Sequence, residues 1–417
     1  MTARSARTVK RVAVIGAGAV GLATAVHLLR AGADVVVFDK DEPSRRASYG
    51  NAGHVVPALA VPLADMTNLQ YFMTSKLRRN SPVSAPNLLG QRARRFTRHF
   101  LLEARPAAWR NSTRLMNTLN DEVVASFEAL AGIGVKTSLQ PAPFTAAFRL
   151  TGPARAFLTE LAEIAHAGQG LGFRLLPRDE LLAREPLCPS SYTLGVRIQD
   201  QAIIDPPAFL AGLQDWLIGN GVSVESEAIE RITTPSGELV VSGAQGLTAR
   251  FDAIVIAAGA ASAPLARDHG FRGDILGGFG HSAWLSAAPR TEGMLYFPDR
   301  RLACTAFRGG IRASSLMRIA EPERYSPTFG AKRLRSILAQ QFPDIEPHTI
   351  TDDWYGARPL SLDGRPYVGG LKTSGVYMNS GHGMWGVTLA PVTGRLIAEA
   401  VMAGRQEIAV PGFSALR

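Results

Sequence analysis

The chain has 417 residues, a formal net charge of +10 at pH 7, 46% hydrophobic residues and 19% charged residues. This length predicts two or three domains, and the composition is typical of a soluble globular protein rather than a disordered one. No run of 18 or more apolar residues predicts a membrane-spanning helix. The two cysteines, Cys188 and Cys304, lack metal-ligand spacing and favour a reducing cytoplasm, so we expect no structural metal.

The first predicted elements are a strand, a helix and a second strand over residues 11–39. Between the first strand and the helix, "GAGAVG" places Gly16, Gly18 and Gly21 in G-x-G-x-x-G spacing, which suits a tight turn under a dinucleotide pyrophosphate. Asp39 closes the second strand, where a carboxylate accepts hydrogen bonds from a ribose. The pattern predicts half of a doubly wound sheet with a bound dinucleotide, but it does not choose between NAD and FAD.

A basic segment follows at residues 76–110, with nine Lys or Arg side chains against the single acid Glu103. Its plainer interpretation is a solvated helix face. The alternative is a surface attracted to anionic lipid or to an acidic partner. We expect no nucleic-acid binding, because no binding motif accompanies the charge.

The nucleotide-binding pattern returns after a long middle segment, with a helix and an apolar strand ("FDAIVIAAGA") within residues 203–262. Strands such as "MLYFPD" and "LACTAF" and the helix "AKRLRSILAQQF" lie between 263 and 345. We therefore predict an α/β fold (α+β overall) with a Rossmann-like cofactor domain and an inserted mixed β-sheet substrate domain. The cofactor domain is assigned 1–66, 203–262 and 346–417, and the substrate domain 67–202 and 263–345.

A second glycine-rich turn, "SGHGMWGVTLAPVTG", begins at residue 380 and leads into an apolar helical pattern. We expect Gly383 to Gly386 to form a loop and the helix to begin near Thr388, because Pro391 is tolerated in a first helical turn. A helix start stabilises negative charge at the edge of a reduced flavin. This turn and the small residues of "ASYGNAGHVVP" favour FAD over NAD.

These stretches, together with "GARPLSLDGRPYVG", resemble the D-amino-acid oxidase superfamily of FAD enzymes, and most closely its bacterial D-amino acid dehydrogenase group. The resemblance is strong over about 130 residues at the two ends of the chain. It implies an FAD whose ADP end lies on the first glycine turn and Asp39. We expect further contacts from Val20, Lys40, Ser48, Asn51, Ala52, Gly53, His54, Ile229, Ala258, Gly259, Gly356, Gly383, Met384, Trp385, Gly386, Val387 and Thr388.

Arg358, in "GARP", is the predicted clamp for a substrate carboxylate, since the family carries its carboxylate-binding arginine in this block and a guanidinium binds carboxylate bidentately. The alternative is a structural ion pair with Asp353 or Asp363. His54 and His382 flank the predicted flavin site, and either could bind the flavin, orient an acceptor or take the amine proton. His281 stands at the family's substrate-lining tyrosine position, and Tyr355 is a candidate wall of the pocket.

The predicted function is FAD-dependent oxidative deamination of a D-amino acid or a cyclic imino acid, with hydride transfer from Cα to flavin N5 and a 2-oxo acid product. His281 favours a polar, D-hydroxyproline-like substrate. We expect a quinone or other non-O₂ acceptor and a cytoplasmic protein, in peripheral contact with the membrane through residues 76–110. The alternatives are an O₂-using oxidase of the sarcosine or glycine type, an NAD(P)-binding reductase, and a non-catalytic FAD subunit of a larger complex.

Overall fold

The structure is a computed structural model that describes residues 10–65, 68–69, 83–84, 90–286, 291–320 and 325–417, with the backbone alone for 83–84. Part of the predicted basic segment, 76–89, therefore lies almost entirely outside the described residues. None of the helices within these ranges is long and apolar enough to cross a membrane.

The strands are β1 (Arg11–Ile15), β2 (Asp34–Asp39), β3 (His54–Val55), β4 (Val83–Ser84), β5 (Gln140–Pro141), β6 (Phe144–Phe148), β7 (Phe173–Pro177), β8 (Leu194–Ile198), β9 (Ala202–Ile203), β10 (Ser223–Ser226), β11 (Ile229–Thr233), β12 (Leu239–Gly243), β13 (Thr248–Phe251), β14 (Ala253–Ile256), β15 (Ile275–Leu285), β16 (Met294–Phe297), β17 (Leu302–Phe307), β18 (Gly310–Ala320), β19 (Ile350–Ser361), β20 (Tyr367–Gly370) and β21 (Val376–Ser380). The α-helices are α1 (Ala19–Arg30), α2 (Gln91–Glu103), α3 (Pro106–Asn120), α4 (Val123–Gly132), α5 (Thr151–His166), α6 (Arg178–Arg184), α7 (Pro206–Gly219), α8 (Ser262–Ala266), α9 (Pro327–Gln341) and α10 (Gly386–Met402).

A six-stranded sheet carries the first glycine turn, in the order β10-β2-β1-β14-β21-β20. All neighbours in it are parallel except β20 and β21. The central strands β1 and β14 are almost wholly apolar and buried, as expected where helices cover both faces of a parallel sheet. The helices α1 and α10 pack on it side by side. Since parallel strands end at the same edge, this sheet brings the ends of β1, β2 and β14 together.

The second large sheet has nine strands, in the order β19-β15-β18-β17-β16-β6-β8-β7, with β4 paired to β18. Its pairs are antiparallel except β16 with β6 and β18 with β4. One face packs on α9 through Ala283, Leu285, Leu334 and Leu338, which belong to one buried apolar cluster. The predicted α/β class with a mixed second sheet is confirmed.

The predicted domain boundaries stay a prediction. The strand β19, which the sequence assigned to the cofactor domain, pairs over most of its length with β15 of the nine-stranded sheet. Residues 203–262 supply β10 and β14 to the six-stranded sheet, and β11, β12 and β13 form a separate three-stranded sheet.

The second glycine turn differs from its prediction in one respect. Gly383–Trp385 is a 3-10 turn rather than an open loop, and α10 begins at Gly386 rather than near Thr388. Pro391 therefore lies in the second turn of the helix. The 3-10 turn extends the helical backbone by three residues before the α-helix begins. Pro391 has no N–H to donate to the carbonyl of Val387, and the helix accommodates it without that hydrogen bond.

We predict that Gly394→Ala destabilises the protein. An added Cβ would lie 2.9 Å from the carbonyl carbon of Ala23 and from the amide nitrogen of Thr24, both in α1. Because α1 and α10 are both buried, neither backbone moves away easily, and the expected loss of unfolding free energy is about 1–3 kcal/mol.

The matched control is Gly219→Ala at the end of α7, where an added Cβ meets nothing within 4 Å. Its stability in urea denaturation should equal or exceed that of the wild type, because alanine is the better helix former. Equal midpoints for the two variants would contradict close packing of the helices at Gly394.

Candidate cofactor and substrate site

A cavity of about 2550 Å³ extends from the carboxyl ends of β1, β2 and β14 to the nine-stranded sheet. Residues 44–62, strands β15, β18 and β19, and the 3-10 turn at Gly383–Trp385 also line it. It therefore joins the first glycine turn, the second glycine turn and Arg358, which are widely separated in the sequence.

The first glycine turn is closed by backbone contacts that exclude side chains. Gly16 has φ +113°, and an added Cβ would lie 2.4 Å from the carbonyl oxygen of Ala257. A Cβ on Gly21 would lie 1.8 Å from the oxygen of Gly16. Gly18, in contrast, borders the cavity at the start of α1. The bare backbone at a helix N-terminus suits a pyrophosphate.

Asp39 is held at the end of β2 by the turn itself. Its Oδ2 accepts the N–H of Ala17 at 2.5 Å, and its Oδ1 accepts the N–H of Asp41 at 2.9 Å. The guanidinium of Arg46, buried beside it, has its Nε 3.5 Å from Oδ2. A carboxylate has about four acceptor positions, so Asp39 can still accept hydrogen bonds from a ribose. Next to it, Ser48 Oγ accepts the N–H of Ala19 at 3.2 Å.

The second glycine turn is tied to the chain segment after β2. Trp385 Nε1 donates to the carbonyl of Val61 at 2.9 Å, and Thr388 Oγ1 donates to the carbonyl of His54 at 3.2 Å. These bonds fix the start of α10 against β3, so the two turns border one continuous cavity.

Most of the predicted cofactor residues line this cavity. They are Gly16, Gly18, Val20, Asp39, Lys40, Ser48, Asn51, Ala52, His54, Ile229, Ala258, Gly259, Gly356, Gly383, Met384, Trp385, Gly386 and Val387. Gly21, Gly53 and Thr388 lie behind that lining. The residues present fit FAD, because bare glycine backbone, a helix start and an acid at a strand end share one large cavity. The contact of each residue with the cofactor stays a prediction.

Arg358 lies half-buried on β19 and lines the cavity, with Nη1 donating to the carbonyl of Leu316 at 3.0 Å. Burial lowers the pKa of Arg358 to about 10, so the guanidinium remains charged at neutral pH. The structural ion pairs considered as an alternative are absent in the described ranges. Asp353 pairs with Arg335 at 2.7 Å, and Asp363 with Arg365 and Arg417.

His281 and Tyr355 lie on the other face of the sheet from Arg358. In the β15–β19 ladder His281 is opposite Tyr355, whereas Arg358 is opposite Gly278, one residue out of phase. Side chains alternate between faces along a strand. His281 Nε2 is hydrogen-bonded to Tyr325 OH, and its ring stacks on Tyr355 at 5.8 Å. Tyr355 nevertheless lines the same cavity as Arg358, whereas His281 does not. The predicted direct roles of both residues stay predictions.

His54 lines the cavity as a residue, but its Nε2 is buried. This nitrogen has no hydrogen-bond partner within the described chain, and the ring meets Phe144 edge to face at 5.9 Å. Burial lowers the pKa of His54 to about 4, so the imidazole is neutral at physiological pH. A neutral imidazole in this position can accept a hydrogen bond from a bound ligand.

His382 has a different environment. Its Nε2 is 3.1 Å from Thr393 Oγ1, which itself donates to the carbonyl of Leu389 in α10. Only 2% of the side chain is exposed, and burial lowers its pKa to about 3. This bonding ties the residue to α10 and is that of a structural histidine.

Sequence reasoning missed several residues that line the cavity. Arg46 follows the exposed Arg45, and nothing in "SRRAS" distinguishes the two. Trp354 and Tyr296, to which the sequence assigned no role, both border the cavity, and Trp354 Nε1 donates to the carbonyl of Ser44 at 2.8 Å. Nothing in the sequence around Leu316 indicates that its carbonyl accepts a hydrogen bond from Arg358.

A G-x-G-x-x-G turn on a parallel sheet, with a cavity reaching a second sheet, defines a dinucleotide-dependent oxidoreductase. The sequence model of the DAO family, described as FAD dependent oxidoreductase, matches residues 11–400. The chain therefore belongs to the DAO family of FAD-dependent oxidoreductases. The predicted FAD cofactor is confirmed.

Known relatives extend over nearly the whole chain. The D-amino-acid oxidase of Bradyrhizobium diazoefficiens is 27% identical over 431 residues, covering 98% of this chain and 99% of that protein. D-amino acid dehydrogenase 2 of Pseudomonas aeruginosa is 28% identical over 412 residues, covering 94% and 95%. The crystal structure of glycine oxidase from Geobacillus kaustophilus has a TM-score of 0.71 at 20% identity, covering 98% and 99%, and shows the same fold.

The chain is thus an FAD-dependent oxidoreductase, which excludes the alternatives of an NAD(P)-binding reductase and of a non-catalytic subunit.

We predict that His382 affects acid stability. Its folded-state pKa lies below the ordinary histidine value of 6.5 because the ring is buried. The unfolded chain therefore binds the proton more readily, and stability present above pH 6.5 is lost as the pH falls. Between pH 7 and pH 5 this histidine should cost the wild type about 2 kcal/mol.

The measurement is urea denaturation of the wild type and His382→Gln at both pH values. Glutamine can still donate to Thr393 but does not titrate, so the variant should lose about 2 kcal/mol less between them. An identical pH dependence in the two proteins would show that His382 is not held neutral by the fold.

Proposed function

We propose that this enzyme oxidises the Cα–N bond of a D-amino acid or cyclic imino acid to an imine, which water hydrolyses to a 2-oxo acid. The single observation that carries the proposal is the half-buried, charged Arg358 in the cavity lining, with a carbonyl as its hydrogen-bond acceptor and no acid at ion-pair distance in the described residues. The relatives named D-amino-acid oxidase and D-amino acid dehydrogenase support the substrate class and its D configuration.

The carboxylate of the substrate binds Arg358. A buried cation without a counter-charge is costly, and an incoming carboxylate supplies both the opposite charge and two acceptor oxygens in a matching plane. On the same face of the sheet, Gly280 has no side chain and so leaves the space that the guanidinium of Arg358 occupies. An added Cβ on Gly280 would lie 1.9 Å from Nη1. The substrate is thereby anchored on the cavity side of the sheet.

His54 accepts a hydrogen bond from the substrate nitrogen. Because its imidazole stays neutral, it stabilises a neutral amine and adds no positive charge where the amine loses its proton. FAD, when bound along the two glycine turns, would supply the two-electron acceptor for the hydride that leaves Cα. The chain's own contribution is then positioning: Arg358 fixes the carboxylate, His54 fixes the nitrogen, and two fixed groups define which face of Cα is presented.

Apolar walls accommodate the substrate side chain and keep water out. Phe144 and Tyr296 lie 6.0 Å apart with tilted rings, and Leu59, Val61 and Phe157 continue the same lining. His281 does not line this cavity, so it gives no support to a hydroxylated substrate. We propose that the side chain of the substrate is apolar or aromatic.

Electrons pass to a quinone or another acceptor in preference to O₂. The helix α2 inserts Phe96 and Phe100 into an apolar cluster against which Met384 of the second glycine turn packs. Its other side exposes Arg94 and Arg98, and the exposed Arg105 follows the end of the helix. This arrangement would hold the flavin side of the protein against an anionic membrane surface that contains the acceptor. The competing candidate is an O₂-using oxidase, which the name of the Bradyrhizobium relative favours.

We predict that Arg358→Lys weakens carboxylate binding without releasing FAD. Lysine keeps the charge but loses the bidentate fork, so the apparent affinity for amino acids should fall about tenfold to hundredfold. The assay is anaerobic flavin bleaching by a panel of D-, L- and N-substituted amino acids, with FAD content measured in parallel.

The control is Arg308→Lys, an exposed arginine outside the cavity lining, which should bleach like the wild type. If Arg358→Lys bleaches with wild-type affinity, or if no amino acid bleaches the wild type, the proposed function is wrong.

We predict faster turnover with a quinone embedded in anionic lipid vesicles than with O₂, and slower turnover in zwitterionic vesicles or at high salt. The arginines of α2 attract anionic lipid, and salt screens that attraction. Equal turnover rates with O₂ and with quinone would contradict the proposed acceptor. Turnover rates that do not depend on lipid charge would contradict the proposed membrane contact.

A further inference from the structure

Strand β18 is irregular at the residue that contacts Arg358. Phe279 of β15 pairs with Arg318, and His281 pairs with Ser315, so Leu316 and Met317 both stand opposite Gly280. This two-against-one arrangement is a β-bulge. Leu316 within it has φ +71°, a left-handed conformation that non-glycine residues rarely adopt.

The bulge has a specific consequence for hydrogen bonding. A bulged residue is unpaired in the ladder, so its carbonyl is free to turn toward other donors. The carbonyl of Leu316 accepts the N–H of Arg358 Nη1 at 3.0 Å. The guanidinium lies over Gly280, the residue opposite the bulge. The bulge and the absence of a side chain at Gly280 therefore together determine where the guanidinium lies.

A carbonyl differs from a carboxylate as a partner for this arginine. It fixes the direction of the guanidinium through a dipole while leaving the net positive charge uncompensated. An acid in the same place would neutralise Arg358 and compete with the incoming ligand. Strained residues that persist in a fold are concentrated at functional sites, where the strain is part of the function.

We propose that the left-handed bulge at Leu316 is a positioning device that aims Arg358 at the substrate carboxylate. Leu316 is thus a positioning residue that acts through its backbone carbonyl. The inference rests on the proposed function, in which Arg358 binds the carboxylate. It goes further because it attributes substrate affinity to the backbone conformation of β18 at the bulge.

The test compares two changes at Leu316 in the FAD-loaded enzyme. Deleting Leu316 removes the extra residue and restores a regular ladder, with Met317 opposite Gly280 and every other pair kept. Leu316→Gly keeps the bulge, because glycine adopts positive φ without strain. The readout is the dissociation constant of benzoate, a carboxylate without an oxidisable amine, measured from the flavin absorbance.

The deletion should weaken benzoate binding about tenfold, the effect of one charged hydrogen bond, whereas Leu316→Gly should stay within about twofold of the wild type. The KM for the amino acid should rise in the deletion variant while kcat changes less, because an interaction common to ground and transition states is lost. The affinity for FAD should not change in either variant.

The matched control is Leu302→Ala in β17. Leu302 is buried in the apolar cluster against which Leu316 packs, and it has no positive φ. This variant should lose stability and keep the benzoate affinity. If the deletion variant does not fold, Leu316→Ile replaces it, since a β-branched residue resists positive φ and should also weaken benzoate binding.

Two results would overturn the inference. One is wild-type benzoate affinity in the deletion or isoleucine variant. The other is equal weakening by these variants and Leu316→Gly, which would show that the leucine side chain matters rather than the backbone. Failure of the proposed function gives a different result, namely unchanged benzoate binding in Arg358→Lys.

Discussion

A half-buried guanidinium without an acidic partner among the described residues is the constraint around which this site is organised. Moving a cation out of water is costly, and Arg358 recovers only part of that cost from the carbonyl of Leu316. The fall of its pKa to about 10 expresses the same cost but leaves the group charged. The neighbouring acids are committed elsewhere, Asp353 to Arg335 and Asp363 to Arg365. The fold thus keeps an uncompensated positive charge at one place in the cavity, where a carboxylate would bind.

The position of that charge relative to the cofactor depends on one chain segment between the two large sheets. Thr305 of β17 donates to the carbonyl of Ala52 at 2.6 Å, and Trp354 of β19 donates to that of Ser44. From the other side, Trp385 donates to the carbonyl of Val61. All three acceptors are main-chain oxygens between residues 44 and 61. The segment therefore sets the width of the cavity between the sheets, and small residues in it let both sides approach.

Local patterns made much of this architecture predictable. The glycine spacing and Asp39 lie within one strand–helix–strand unit, so sequence distance and spatial distance agree there. The faces of the nine-stranded sheet were harder, because a residue's face depends on the pairing register of distant strands. Tyr355 and Arg358 are three residues apart on β19, an odd separation that places them on opposite faces. A prediction of β19 as one continuous strand would have placed Tyr355 and Arg358 on opposite faces, but the sequence did not predict this strand.

Other features have no sequence signal at all. Arg46 is buried beside Asp39 while the adjacent Arg45 is exposed, a difference set by where the loop after β2 packs. The bulge at Leu316 is carried by a leucine, although glycine is the residue expected at positive φ. Its cause lies in the mismatch of two strands, which becomes visible only when both are paired.

The three candidate histidines show how partners, rather than protonation, separate structural from ligand-binding roles. Burial lowers the pKa of each of them to between about 3 and about 4, so all three are neutral at pH 7. His382 is bonded to Thr393 and His281 to Tyr325, and both rings are thereby fixed to the protein. His54 keeps a buried, unpartnered nitrogen within the described chain and borders the cavity. A buried polar atom without a partner is costly unless a ligand supplies one, which is why we assign the substrate nitrogen to His54.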